Sequence, residues 1–459
     1  MKKINWLADF PPVSAKGWKQ HIQTDLKGVD YNEHLIWPSP EQINVKPFYH
    51  ADDMEEIPPS TITTPENWHI GQEIYVQNVL KSNLKAQDAI TRGAESIVFK
   101  LPTEDIDIKE LLKDIDLTAV PVHLKLDFIS PAFCKKIAGL KEEIPGELTI
   151  HIDIYGHLAR TGNWYYSLEK DHILLSEIRE EMGSIPFLSI DCSLFQNAGA
   201  NRVQELAYSL SQAYEYLTFF EIQKSKLVCA PIFQVSVDSN YFFEIEKIRA
   251  LRALWATLAR EYKAPETCHI IAYPTRRNKT LYEYNTNLLR TTTECMAAVL
   301  GGANTICNLP YDAIYHKDNE FGERIARNQL LILKNESYFG AVSNAADGTY
   351  YIESLTNQLA TKALTLFKNI EATGGFLKNV KNHTIQKKIK ESADKALHQF
   401  ELKEEILVGT NKYENAQDTM KDTLELYPFL KTHPVKTLIE PILEKRLAES
   451  LEQKRLDNE

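Results

Sequence analysis

Residues 186–217 read PFLSIDCSLFQNAGANRVQELAYSLSQAYEYL. Leu188, Ile190 and Cys192 alternate with Ser189, Asp191 and Ser193, which is the period of a β-strand. Gln196-Asn197-Ala198-Gly199 is a polar turn. From Val203 the apolar residues fall at Val203, Leu206, Ala207, Leu210 and Leu217, at helical spacing. Strand, polar loop and helix make one step of an α/β fold, and such folds put their chemistry in the loop after the strand. Yet this loop holds no His, no Lys and no acid beyond Asp191.

The same step recurs in both directions. Candidate strands are QEIYVQN (72–78), SIVFKL (96–101), VPVHLKLDF (120–128), ELTIHIDIY (147–155), PFLSIDC (186–192), LVCAPIFQVSV (227–237), TCHIIAY (267–273) and ANTICNL (303–309). Segments of helical spacing lie between them, such as FEIEKIRALRALWATLARE and NLLRTTTECMAAVLGG. Alternation of this kind argues for a parallel sheet, and eight strands close a (β/α)8 TIM barrel; an open doubly wound sheet is the alternative. The expected organisation is an extended N-terminal arm rich in Trp, Pro and Tyr at 1–50, the barrel at 51–340 and a helical C-terminal extension at 341–459. The last stretch, TLIEPILEKRLAESLEQKRLDNE, reads as a solvated helical end with little apolar face.

Composition sets outer limits. At 43% hydrophobic and 25% charged, the 459 residues can bury a large core. A net charge of −11 argues against nucleic-acid or anionic-membrane partners. No apolar run reaches the roughly 20 residues of a membrane span. Two lysines open the chain without an apolar signal segment behind them, so a cytoplasmic location is expected. The six cysteines are scattered with no CxxC, mostly in apolar runs, as small buried hydrophobes are.

Two strands alternate unusually. VPVHLKLDF sets Val122, Leu124, Leu126 and Phe128 against His123, Lys125 and Asp127. ELTIHIDIY sets Leu148, Ile150 and Ile152 against Thr149, His151 and Asp153. In a barrel the apolar set faces the helices, so the polar set faces the lumen. Buried charges must pair or change protonation state. The set therefore reads as a self-neutralising plug, as an acid–base cluster or as a metal site; no single element carries metal-ligand spacing. TRRNKT (275–280) puts Arg276 and Arg277 beyond the seventh strand, as an anion site for phosphate, a surface ion pair or a subunit contact. Gly301-Gly302 follows a helix, so it is a helix stop and no phosphate loop.

Longer blocks carry a resemblance. NTNLLRTTTECMAAVLGGANTICNLPYD (285–312), ERIARNQLLIL (323–333), GTYYIESLTNQLA (348–360), ATGGF (372–376) and LVGTNKY (407–413) resemble the adenosylcobalamin-dependent acyl-CoA mutases, specifically the methylmalonyl-CoA mutase family. FPPVSAKGWKQHIQTDLKGVDYNEHLIW (10–37) resembles the arm of the small subunit of its heterodimeric bacterial members. The resemblance implies a barrel that holds acyl-CoA along its axis. It also implies that this chain has lost the reactive groups. Ser193 and Leu194 stand where catalytic members place a Tyr and a His beneath the cobalamin. Gly71 and Glu73 replace a substrate-contacting Arg and Tyr. Ile271 and Tyr273 replace a His and a Gln. Trp68, Gln72, Gln196 and Arg276 would be what remains of a ligand pocket. No DxHxxG, the family's cobalt-ligating motif, occurs in the sequence. The expectation is a non-catalytic small subunit binding no cofactor or metal, paired with a large subunit that carries adenosylcobalamin, or with itself when isolated. An independent acyl-CoA enzyme using Glu73 with His123/Asp127 or His151/Asp153 as acid and base is the other reading.

Overall fold

Eight parallel strands carry the middle of the chain in the computed structural model. They are β1 (His69–Tyr75), β2 (Ser96–Leu101), β3 (Val122–Leu126), β4 (Leu148–His151), β5 (Ser189–Asp191), β6 (Ile232–Val237), β7 (His269–Pro274) and β8 (Thr305–Cys307). The structure describes residues 10, 12–54, 64–225, 227–430 and 435–459. Residues 1–9 and 11 of the expected arm, 55–63 and 226 of the expected barrel and 431–434 of the expected extension lie outside the described residues.

Each strand pairs with its chain neighbour, and β8 pairs with β1 in the register Thr305↔His69 and Cys307↔Gly71. Between β4 and β5 the circle closes through short contacts: Ile150 N–H donates to Pro186 O (2.8 Å), Ile152 N–H to Phe187 O (3.0 Å) and Ser189 N–H to Ile152 O (3.0 Å). A helix follows every strand, so the fold is a (β/α)8 barrel.

Strand alternation explains where the core sits. Ile70, Ile74, Ile97, Phe99, Val122, Leu124, Leu148 and Ile150 face outward and join one continuous core beneath the helices. Val98, Ile232, Ile271 and Cys307 face the other way and form a separate cluster in the lumen. β4 ends at His151 because Asp153 caps the next helix, Ile154–Thr161, its Oδ1 accepting from Gly156 N at 2.8 Å. Only a glycine fits at 156, since a Cβ there would lie 2.1 Å from Asp153 Oδ2.

The arm divides in two. Helix Ala15–Asp25 buries none of its residues and leaves Trp18 exposed. From Tyr31 onward the arm docks on helices of the barrel and of the C-terminal extension. Trp37 meets Phe243 edge-on (5.8 Å), Tyr49 meets Tyr351 (5.3 Å), and buried Glu41 pairs with Arg202 (2.9 Å). That pair extends a buried network through Glu244 to Lys247 and Glu205. Helix Tyr350–Ala372 covers the outer side of helices Tyr241–Glu261 and Arg202–Ile222, which is why both are buried nearly all round.

The chain's end differs from its sequence reading. It is helical only over Glu449–Asp457, and it is docked. Ile439, Ile442, Leu447 and Ala448 are buried, and backbone bonds tie the tail to loops on the carboxyl rim: Ile442 N to Ala159 O, Lys445 N to Asn197 O and Leu447 N to Arg277 O. Hydropathy missed this because much of the buried surface is charged. Arg446 Nη1 donates to Glu452 Oε2 (2.6 Å) and to Lys279 O, while Glu452 Oε1 accepts from Leu281 N (2.8 Å). Glu452→Gln keeps the acceptor for Leu281 and removes the charge opposite Arg446. It is expected to cost about 1.5 kcal/mol, the scale of a charge-assisted hydrogen bond. Urea unfolding should show a lower midpoint at constant slope; an unchanged midpoint would mean the tail does not hold this position in solution.

Candidate functional site

The lumen is the concave centre that a barrel of this kind offers. It is filled. Histidines from three strands occupy its interior: His123 Nδ1 lies 3.2 Å from His151 Nε2, and the rings of His123 and His269 are 5.0 Å apart. Thr149 Oγ1 sits 2.6 Å from His123 Nδ1, and Thr305 Oγ1 sits 3.1 Å from His269 Nε2. Nearer the carboxyl end, Lys125 Nζ donates to Gln234 Oε1 (2.6 Å) and faces Asp191 at 3.7 Å. Gln234 Nε2 returns to His151 Nδ1 (3.3 Å). The apolar cluster of Val98, Ile232, Ile271 and Cys307 occupies the rest, with Tyr273 packed on it.

The electrostatics follow from burial. Desolvation pushes the His123 imidazole down to about 3, with the His69 charge adding to it. Burial and then the neighbouring cations push His151 and His269 well below their usual value. All three are neutral at pH 7. Burial would raise Asp191, but Lys125, Arg160 at 2.7 Å and the Ser193 hydroxyl outweigh it and hold the carboxylate at about 2. Asp191 therefore stays ionised between Arg160 and Lys125. Most of these polar groups answer one another, although His69 Nδ1, His123 Nε2 and the Tyr273 hydroxyl have no hydrogen-bond partner, and none of His123, His151 and His269 is a base poised near neutral pH.

The expected acid–base pairs do not form. Asp127 lies past the end of β3 at the surface, 3.6 Å from Lys100. Asp153 lies past the end of β4 and turns outward to Gly156, Gln212 (2.6 Å) and Tyr216 (2.8 Å). Alternation fixes a side chain's face only while the strand lasts. The histidines pair with each other instead. The alternation that places Ile271 and Tyr273 inward also places His269 inward, and the sequence reading did not extend it that far.

Gly71, Ser193, Leu194 and Ile271, four of the residues at family positions, are tied into the packing. A Cβ on Gly71 would lie 2.5 Å from Cys307 Sγ and 2.8 Å from Thr305 Cγ2, so no side chain fits there. Ser193 donates its hydroxyl to Asp191 Oδ1, and Leu194 and Ile271 are fully buried. Burial and the Glu73 charge push the Tyr273 phenol well up. The four residues expected to outline a remnant pocket are not brought together. Trp68 precedes β1, at the amino end of the barrel, where its Nε1 donates to Phe339 O (3.3 Å). Gln72 faces outward and accepts from Arg327 (3.0 Å). Gln196 is at the carboxyl end, accepting from Thr275 Oγ1 (2.7 Å), and Arg276 beside it is exposed. Among the described residues no group of three or more His, Cys, Asp or Glu side chains is arranged to hold a metal ion. No helix there is long and apolar enough to cross a membrane.

Fold and site together define a (β/α)8 barrel whose lumen is occupied by side chains from its strands. The family model for methylmalonyl-CoA mutase matches residues 103–454. The chain is 32% identical to the methylmalonyl-CoA mutase small subunit of Porphyromonas gingivalis, over 100% of this chain and 79% of that one. It is 28% identical to the methylmalonyl-CoA mutase of Rhizobium meliloti, over 90% of this chain and 66% of that one. It is 27% identical to the methylmalonyl-CoA mutase small subunit of Streptomyces virginiae, over 81% and 66%. The chain belongs to the methylmalonyl-CoA mutase family.

Proposed function

We propose that this chain is a non-catalytic small subunit, which stabilises a large subunit carrying adenosylcobalamin and interconverting (R)-methylmalonyl-CoA and succinyl-CoA. The observation that carries the reading is the space at Gly71. The position aligned with a substrate-binding arginine is filled by Cys307 and Thr305, and the channel beside it by Val98, Ile232 and Ile271. Radical rearrangement needs groups that hold the ester and the radical in place, and without them the rate falls by orders of magnitude. The residues present do not fit the cobalamin either. The sequence has no DxHxxG, and the positions beneath a corrin would be Ser193, bonded to Asp191, and buried Leu194.

A small subunit needs a contact surface, and the arm of 1–50 supports one. Phe10, Val13 and Trp18 are exposed on a segment that buries nothing of helix Ala15–Asp25. On this reading the arm serves the partner, the barrel of 51–340 is the scaffold and residues 341–459 brace it. Six cysteines without a disulfide agree with the reducing cytoplasm. The test is calorimetric titration of the purified chain with succinyl-CoA and with adenosylcobalamin, then a mutase assay with and without the large subunit. No heat from adenosylcobalamin, no heat from succinyl-CoA beyond what its ADP moiety alone gives, and activity only with the partner, is the expected result. Turnover by this chain alone would overturn the reading and favour an independent acyl-CoA enzyme.

A further inference from the structure

On the carboxyl face, helix Thr384–Glu401 and the tail segment 440–447 enclose a groove of about 950 Å³ that no part of the preceding reading uses. We infer that this groove binds a phosphate-bearing organic anion of the nucleotide class.

Charge points to an anion. Arg277, Lys387, Lys390 and Lys445 line the groove, and among the described residues no carboxylate lies within ion-pair distance of any of them. The Arg277 guanidinium, partly buried, donates Nη1–H to Lys445 O (3.0 Å); burial pushes its pKa down and outweighs the opposing pull of Asp238, Glu449 and Glu405, none of which is within ion-pair distance. Two acids line the same groove, Asp394 and Glu440, the latter 3.9 Å from His383. A cationic concavity of this kind stands out on a chain of net charge −11. A planar guanidinium flanked by lysines is the donor set that phosphate takes.

Two further features select an organic phosphate over the bare ion. The floor is apolar, made by Ile389, Leu397, Leu430 and Ile442, and the volume suits a ligand of drug size. Gln386, only 7% exposed, spends its Nε2 donors on Val380 O (3.0 Å) and Glu440 O (2.9 Å), while its Oε1 has no partner. A buried acceptor left empty is costly, and because Oε1 is itself enclosed, a ligand N–H or O–H gains it only by turning the amide toward the groove. Arg277 comes from TRRNKT, the motif whose sequence reading left phosphate, ion pair and subunit contact open.

The probes are ADP and inorganic phosphate, titrated into the full chain by calorimetry at low and moderate salt. ADP should bind saturably with one site per chain, at least tenfold more tightly than phosphate, and more weakly as salt rises. The double variant Lys387→Glu/Lys445→Glu changes two exposed side chains, so melting should be unaffected while ADP affinity falls at least tenfold. Gln386→Leu should weaken ADP and leave phosphate unchanged. No saturable ADP binding, equal affinity for ADP and phosphate, or ADP binding that the double variant leaves intact would each overturn the inference. None of these outcomes depends on the mutase assay above.

Discussion

Gly71→Ala is expected to destabilise the folded chain by about 3 kcal/mol, at the upper end of the range for overpacking a core. The ideal Cβ would sit 2.5 Å from Cys307 Sγ, 2.8 Å from Thr305 Cγ2 and 3.2 Å from Ile306 O. None of these atoms is the tip of a long side chain. All three belong to β8, which pairs directly with β1, so relief requires the two strands to part. Gly71→Arg should do worse, because its side chain must fit where even a Cβ already meets Cys307 and Thr305. Restoring the family's arginine is thus expected to unfold the barrel and not to recover an active site. Cys307→Ala removes the nearest obstacle. The double variant Gly71→Ala/Cys307→Ala should therefore recover about 1 kcal/mol or more over the sum of the single effects. Urea unfolding of the four proteins gives the cycle. A Gly71→Ala variant as stable as the parent would mean the lumen has slack, and the packing on which the non-catalytic reading rests would be gone.

The barrel was legible because its evidence is periodic. Eight runs of period two, separated by runs of helical spacing, became β1 to β8, and both faces of β3 and β4 point as alternation requires while the strands last. What sequence could not give was convergence. His123, Thr149, His151 and His269 come from three strands spread over 147 positions of numbering, from 123 to 269, and only closure of the sheet brings them together. The same limit hid the tail. Arg446 and Glu452 look like solvated helix residues until Lys279 and Leu281 are known to lie beside them. The remnant pocket failed for the opposite reason: Trp68, Gln72, Gln196 and Arg276 align with a family site, but alignment says nothing of which barrel end or which strand face each now occupies.

Acid should weaken the barrel through its histidines, and His123 allows the effect to be isolated. Its folded pKa, about 3, lies below its ordinary value of 6.5 because burial disfavours the imidazolium. The unfolded state then binds the extra proton. The contribution to stability is full above pH 6.5 and is lost as pH falls toward 3. Between pH 7 and pH 5 His123 alone removes about 2 kcal/mol. His151 and His269, lowered by the same desolvation, push in the same direction. Glu205 and Glu294 push the other way, since burial raises both to about 7 and the folded state takes up their protons over this window. The total slope is therefore a poor readout, and the difference between two proteins is a good one. In His123→Asn the amide can still meet Thr149 or His151 but does not titrate. The stability gap between parent and variant should move by about 2 kcal/mol from pH 7 to pH 5, the parent losing more. A gap constant to within about 0.5 kcal/mol would mean that His123 ionises as it does in water. Water would then have to reach the centre of the barrel, and an open channel would return the independent-enzyme reading to first place.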